Sequence, residues 1–101
     1  MIHYCYMVKC ANGALYTGWS LDPLAREGVH NRGYGARYTR THRPVKLVYV
    51  EALESLSAAL IREREIKRLP AKKKWALIDT EANILAKLIF ECLEDELKKE
   101  D

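Results

Sequence analysis

No run of apolar residues in this 101-residue chain approaches the roughly 18 to 20 that would cross a bilayer, so a membrane span is not expected. The start, Met1-Ile2-His3-Tyr4-Cys5, has no positively charged stretch leading into an apolar core, which is what a secretory signal would require. The cytoplasm is therefore the expected compartment. Cysteine is scarce: Cys5, Cys10 and Cys92 are odd in number and widely spaced. With no two-residue-gap pair and no histidine at finger spacing, they argue against both a zinc site and a disulfide framework. They read as small apolar side chains of a reduced compartment. Internal repeats and low-complexity segments are also missing. A chain this short allows one domain around a single modest core.

Acidic residues are missing locally. Between Asn31 and Val50 there is none, while Arg32, Arg37, Arg40, Arg43 and Lys46 appear among Tyr34, Tyr38 and His42. The net charge of +3 hides a split: residues 1–78 carry 14 Lys or Arg against 6 Asp or Glu, and residues 79–101 carry 3 against 8. A basic body with an acidic tail is an electrostatic footprint of nucleic-acid binding, although many soluble domains are this basic. Arginines position phosphates and tyrosines stack on bases, and nothing here resembles a base-reading helix. Such a surface implies sequence-tolerant, salt-sensitive binding. The plain alternative is a solvated basic loop.

The elements that are present can be placed in order. Ile2–Cys10 and Ala14–Trp19 are short strand-like runs separated by Asn12-Gly13, a strong hairpin signal. Asp22-Pro23 supplies an N-cap and a first helical residue for a helix to about Asn31, weakened by Gly28. Residues 32–43 read as a loop broken by Gly33 and Gly35 and ended by Pro44. Val45–Ala52 is a third strand. Ser55 or Ser57 caps a helix to about Leu69, and Pro70 opens another that carries Lys72-Lys73-Lys74, Trp75, Leu77 and Ile78. A last helix over about Glu81–Lys98 puts Leu85, Leu88, Ile89, Cys92 and Leu93 on one stripe. Three strands and four helices make a mixed α+β domain.

Within this frame, Tyr4-Cys5-Tyr6 is followed about ten residues later by Tyr16-Thr17-Gly18, and then by Asp22, Arg26 and His30 on one helix. Ala36-Arg37-Tyr38-Thr39-Arg40, Pro44, Leu47-Val48-Tyr49, Ala59-Leu60, Glu63 and Ile66-Lys67 complete the series. In order and spacing this resembles the GIY-YIG nucleases, above all their small stand-alone bacterial members, over roughly residues 3–78. Each motif is weak alone; the ordered set is specific. Trp19, Gly28 and Pro70 depart from the usual pattern without removing a site residue.

The resemblance implies a small three-stranded, mainly antiparallel sheet flanked by helices. Residues 1–78 would be the nuclease-like domain, with 79–101 an added acidic helix. It implies a metal-dependent endonuclease that hydrolyses DNA phosphodiester bonds with little sequence specificity, in DNA repair or recombination. The alternative is a non-catalytic nucleic-acid-binding module that kept the fold. One Mg²⁺ or Mn²⁺ ion is expected on Glu63, since a single carboxylate with phosphate oxygens and water suits such a cation. Glu63 shares an arc of its helix with Leu56, Ala59, Leu60 and Ile66, whereas Arg62, Arg64, Glu65 and Arg68 point elsewhere, and a carboxylate placed inward needs a cation. Lys67, four residues on, could be that cation instead. Arg26 would hold the scissile phosphate, where a guanidinium fork suits the task, and His30 would assist beside it. The alternatives are an Arg26–Asp22 surface pair and a His30 that serves the helix end. Of Tyr6 and Tyr16, one would take the proton of the attacking water and the other position it; Tyr6 is the preferred base. Arg32, Arg37, Tyr38, Arg40, Arg43, Lys46 and Lys67 would contact the DNA backbone. The last helix could complete the core, form a homodimer, or cover the basic surface.

The hairpin carries a geometric condition on this reading. A two-residue turn at Asn12-Gly13 would put Tyr6 and Tyr16 on opposite faces of the sheet. A three-residue loop, Ala11-Asn12-Gly13 with Gly13 left-handed, would place Tyr16 opposite Val8 and Tyr6 opposite Gly18, on a common face.

Overall fold

The computed structural model describes residues 1–99 and shows an α+β fold: a three-stranded antiparallel sheet with helices on both faces. The strands are β1 (His3–Lys9), β2 (Leu15–Ser20) and β3 (Lys46–Leu53), in the order β2-β1-β3. The helices are α1 (Pro23–Asn31), α2 (Arg37–Thr41), α3 (Leu56–Lys67), α4 (Ala71–Ile78) and α5 (Leu85–Lys99). No helix among the described residues is long and apolar enough to cross a membrane.

The β1–β2 connection is the three-residue loop. Gly13 N donates to Cys10 O at 2.9 Å, Cys10 N donates to Ala14 O at 2.8 Å, and Gly13 sits at φ +86°, where a side chain would be strained. Asn12 Oδ1 accepts from Ala14 N and steadies the turn. The resulting register puts Tyr6 opposite Gly18 and Val8 opposite Tyr16. Both tyrosines therefore lie on one face.

Alternation then sorts the core into two layers. Tyr6, Val8, Cys10, Val45, Leu47 and Val50 pack on one face with Leu24 of α1 and Ile84, Leu85 and Leu88. Cys5, Met7, Tyr49 and Ile66 pack on the other with Leu77 and Ile78. Each fully buried aliphatic or aromatic side chain contributes about 1.5–3 kcal/mol of transfer free energy. Burial pushes the Cys5 thiol up to about 12, so it is an inert packing group.

The free edge of β3 is closed by side chains and one backbone amide rather than by a fourth strand. Val45 N donates to Asn31 Oδ1 at 2.7 Å and Leu47 N to Glu27 Oε2 at 2.6 Å. Asn83 Nδ2 donates to Val48 O, Asn83 Oδ1 accepts from Val50 N, and Ile84 N donates to Val50 O. These partners satisfy an edge that would otherwise pair with another chain.

Four expectations need correcting. Residues 32–43 are not all loop, because Arg37–Thr41 forms α2. The last helix begins at Leu85 rather than Glu81, since Asn83 is committed to β3 and caps Leu85 N at 3.1 Å. Of its apolar stripe, Leu85 and Leu88 reach the core while Ile89, Cys92 and Leu93 are exposed. On α3, Leu56 and Leu60 are exposed, whereas Arg62 turns inward to Glu51 at 3.0 Å. Of the 79–101 segment, residues 100 and 101 lie outside the described residues.

Candidate active site

Tyr6 comes from the central strand and Tyr16 from the edge strand, on the face set by the Gly13 loop. α1 starts where Asp22 accepts from Ala25 N at 3.1 Å and Pro23 pre-sets the backbone; it passes Gly28 unbroken. Arg26 and His30, one turn apart on that helix, project toward the tyrosines. Asp22 is spent on the cap, and no ion pair joins it to Arg26. Glu63 reaches the same cleft from α3, whose Ile66 packs on the opposite face of the sheet.

All five side chains line one cleft of about 500 Å³, together with Gly18, Trp19, Val29, Tyr34, Gly35 and Ala36. At its floor Tyr6 Oη lies 2.7 Å from His30 Nε2, and His30 Nδ1 lies 2.8 Å from Thr39 Oγ1. Tyr6 and His30 are each only 2% exposed. The Tyr16 ring meets the imidazole edge-on, with centroids 5.6 Å apart.

This environment sets the protonation states. Burial first, then Tyr16 and Glu63, push the Tyr6 phenol above its ordinary value, and the Arg26 guanidinium works against them. Burial and Arg26 hold His30 below its usual range. At neutral pH the floor is thus a neutral phenol against a neutral imidazole. Arg26 itself is exposed at the mouth, free to meet an anion.

Glu63 has its side chain 19% exposed and accepts from Lys67 Nζ at 3.3 Å, so the one-turn pair exists alongside the cleft-facing position. Among the described residues no group of three or more His, Cys, Asp or Glu could cage a metal ion. One carboxylate in an open cleft instead suits a hydrated cation that takes its other ligands from water and phosphate.

The expected backbone-contacting residues are all exposed, and none lines this cleft. Tyr38 and Lys67 line a neighbouring hollow that shares Tyr16 and adds Lys74. Arg40 and Arg43 line another with Asn31. Arg43 is a pin as well, donating from Nε to Arg40 O and from Nη1 to Asn31 O. Arg32, Arg37 and Lys46 point to solvent. Tyr34, read with Tyr38 as a base-stacking tyrosine, stands 81% exposed at the cleft mouth, and among residues that sequence reasoning left unassigned Thr39 and Gly35 hold His30. Ala36, the N-cap of α2, makes no side-chain cap bond, so no local signal marked a helix start there.

The two-faced sheet brings a tyrosine pair, an arginine, a histidine and a lone glutamate to one cleft, which makes this a small α+β domain with a candidate catalytic cleft. Residues 2–76 match the GIY-YIG catalytic domain, and the chain belongs to that family. A UPF0213 protein of Staphylococcus aureus strain Mu3 is 54% identical over 76 residues, covering 75% of this chain and 93% of the relative. The solution NMR structure of a UPF0213 protein of Bacillus halodurans superimposes with a TM-score of 0.52 at 38% identity, over 81% of this chain and 87% of that one. That of an E. faecalis protein gives 0.51 at 37% identity, over 73% and 79%. The family is one of nuclease domains.

Proposed function

We propose that this protein is a metal-dependent DNA endonuclease of low sequence specificity, acting in the cytoplasm on intermediates of repair or recombination. The observation that carries the reading is the convergence of Tyr6, Tyr16, Arg26, His30 and Glu63 on one cleft. In this reading Arg26 neutralises charge gathering on the scissile phosphate. Tyr6 takes a proton from the attacking water while passing its own to His30 Nε2, because a buried phenol cannot hold the negative charge alone. The water oxygen bonds to phosphorus, the phosphorus–oxygen ester bond breaks, and the departing oxygen acquires a proton from solvent. Tyr16 orients water or phosphate across from the imidazole. Glu63 would hold one Mg²⁺ or Mn²⁺, which when bound supplies charge neutralisation for the phosphate and leaving group. Exposed Arg32, Arg37, Tyr38, Arg40, Arg43, Lys46 and Lys67 would bind neighbouring phosphates, so affinity falls steeply with salt. Residues 1–78 would form the nuclease unit and 79–101 its appendage.

The test is incubation with nicked, branched and single-stranded DNA in Mg²⁺ or Mn²⁺. Cleavage is expected for at least one substrate and is lost on chelation. Salt-sensitive binding without any cleavage would replace this reading with that of a non-catalytic binding module.

We also propose that α5 pairs with α5 of a second copy. Ala86, Phe90, Leu93 and Leu97 recur at alternating four- and three-residue steps, a two-heptad seam. Phe90, Leu93 and Leu97 are all more than half exposed. In an antiparallel pairing Phe90 meets Leu93 of the second copy, and Lys87 comes opposite Glu94, so apolar and charged positions match together. So short a seam gives a weak, concentration-dependent dimer. Light scattering over a dilution series should show association that Leu93→Asp removes; a strictly monomeric native chain would refute it.

A further inference from the structure

Thr39 belongs to no motif read as catalytic, yet it is fully buried and bonded to the one imidazole in the cleft. The direction of its hydrogen bond can be worked out from both ends of the chain Tyr6–His30–Thr39–Ala36. At the first end, Tyr6 Oη lies 2.7 Å from His30 Nε2, its one side-chain hydrogen-bond partner among the described residues. A phenol proton directed at Nε2 requires that nitrogen to carry the lone pair. A neutral imidazole then bears its proton on Nδ1, and Nδ1–H points to Thr39 Oγ1 at 2.8 Å. At the other end, Thr39 Oγ1 donates to Ala36 O at 2.8 Å, so its own proton is committed and its oxygen is free to accept. Both ends give one consistent polarity: Tyr6 to His30 to Thr39 to the Ala36 carbonyl.

We propose that Thr39 is a positioning residue that locks His30 in the Nδ1–H tautomer, so that Nε2 stands ready to receive the Tyr6 proton. This rests on the nuclease reading for its catalytic consequence, but the tautomer itself does not. Gly35 keeps the lock tight: a Cβ there would lie 2.0 Å from His30 Nδ1, so the backbone closes the imidazole against Thr39. Once His30 is protonated, Nδ1–H remains held by Oγ1, and the imidazolium forms without losing a partner. A threonine at this position is neutral, so it orients the ring without adding a second negative charge beside Tyr6. The reverse polarity, with Thr39 donating to Nδ1 and Nε2–H donating to Tyr6, would leave Thr39 Oγ1 and Ala36 O facing each other at 2.8 Å with no proton between them.

The direct test is the ¹⁵N resonance pattern of the His30 ring, compared among the native protein, Thr39→Val and Thr39→Ser. The native and Thr39→Ser proteins should show Nε2 as the unprotonated nitrogen and Nδ1 as the protonated one. Thr39→Val, similar in shape but without an acceptor, should show mixed or reversed tautomers. The β1–β2 amide signals in the same samples report that the fold is kept. In cleavage assays Thr39→Val should lower kcat by about ten- to a hundredfold, with KM little changed, and Thr39→Ser should restore it. An unprotonated Nε2 that persists in Thr39→Val overturns the proposal. So does a native ring with Nε2 protonated. If the tautomer changes as expected but no form of the protein cuts DNA, the lock stands and the nuclease reading falls.

Discussion

Replacing Glu63 with alanine should lower DNA cleavage at least on the order of a thousandfold, because several kcal/mol of metal-borne charge stabilisation would go and each 1.36 kcal/mol is tenfold in rate. The expectation follows from how little else could serve. Glu63 is the one carboxylate lining the cleft, and no other cluster of His, Cys, Asp or Glu among the described residues could hold the ion in its place. The loss should appear in rate more than in fold, since Glu63 contacts only Lys67 in an ion pair at the cleft edge. Such partly exposed pairs contribute little stability. Glu63→Gln sharpens the test: it keeps the shape, loses the charge, and should be as inactive as alanine. Lys67→Ala separates the two roles of this corner. It should weaken DNA binding and its salt dependence while leaving the cleavage rate of bound substrate near native. The measurement is single-turnover cleavage at saturating protein across a metal titration. Activity in Glu63→Ala that matches the native protein at every metal concentration would refute the metal assignment.

The parts of this fold that were legible in the sequence are those where local chemistry and tertiary demand agree. Asn12-Gly13 prescribes a tight loop, and a positive φ at Gly13 converts it to the three-residue form that sets the face of both tyrosines. Asp22-Pro23 and Ser55 each place a helix start because the cap bond is made within four residues. α2 was hidden for the opposite reason. Five residues lie below the length at which a helix sustains itself, and Ala36 offers no side-chain cap. It is held by Thr39 against His30, a contact nine residues apart that no periodicity reveals. Arg62 was misplaced similarly, since its partner Glu51 lies on a strand and draws it inward against the helix pattern. Exposure along α5 was illegible because a stripe that ends on the core and one that continues into solvent share the same spacing. For the site, the ordered motifs identified which residues converge, while the hydrogen bonds beneath them needed coordinates.

Tyr6→Phe should lower kcat by about a hundred- to ten-thousandfold, the range for losing a general base, with substrate affinity nearly unchanged. The substitution is unusually clean here because the missing side chain of Gly18 already fixes the ring. A Cβ on Gly18 would stand 2.7 Å from Tyr6 Oη and 2.8 Å from Cζ, so the backbone of the edge strand presses directly on the phenol. A phenylalanine fills the same slot, and the loss reports chemistry rather than displacement. Stability should fall by only about 1–3 kcal/mol, the cost of leaving buried His30 Nε2 without a donor. Gly18→Ala is the converse experiment. The hydroxyl stays, but the added methyl must push the ring off His30, and overpacking of this kind costs about 1–3 kcal/mol. It should therefore lose activity to a similar degree while retaining every catalytic side chain. Native-like cleavage by Tyr6→Phe would move the base to Tyr16, which faces the same imidazole across the cleft. The Tyr16→Phe variant, measured beside it, tells the two apart. Whichever tyrosine proves essential, the Gly13 loop makes the choice possible, since one residue fewer in that turn would send Tyr16 to the far side of the sheet.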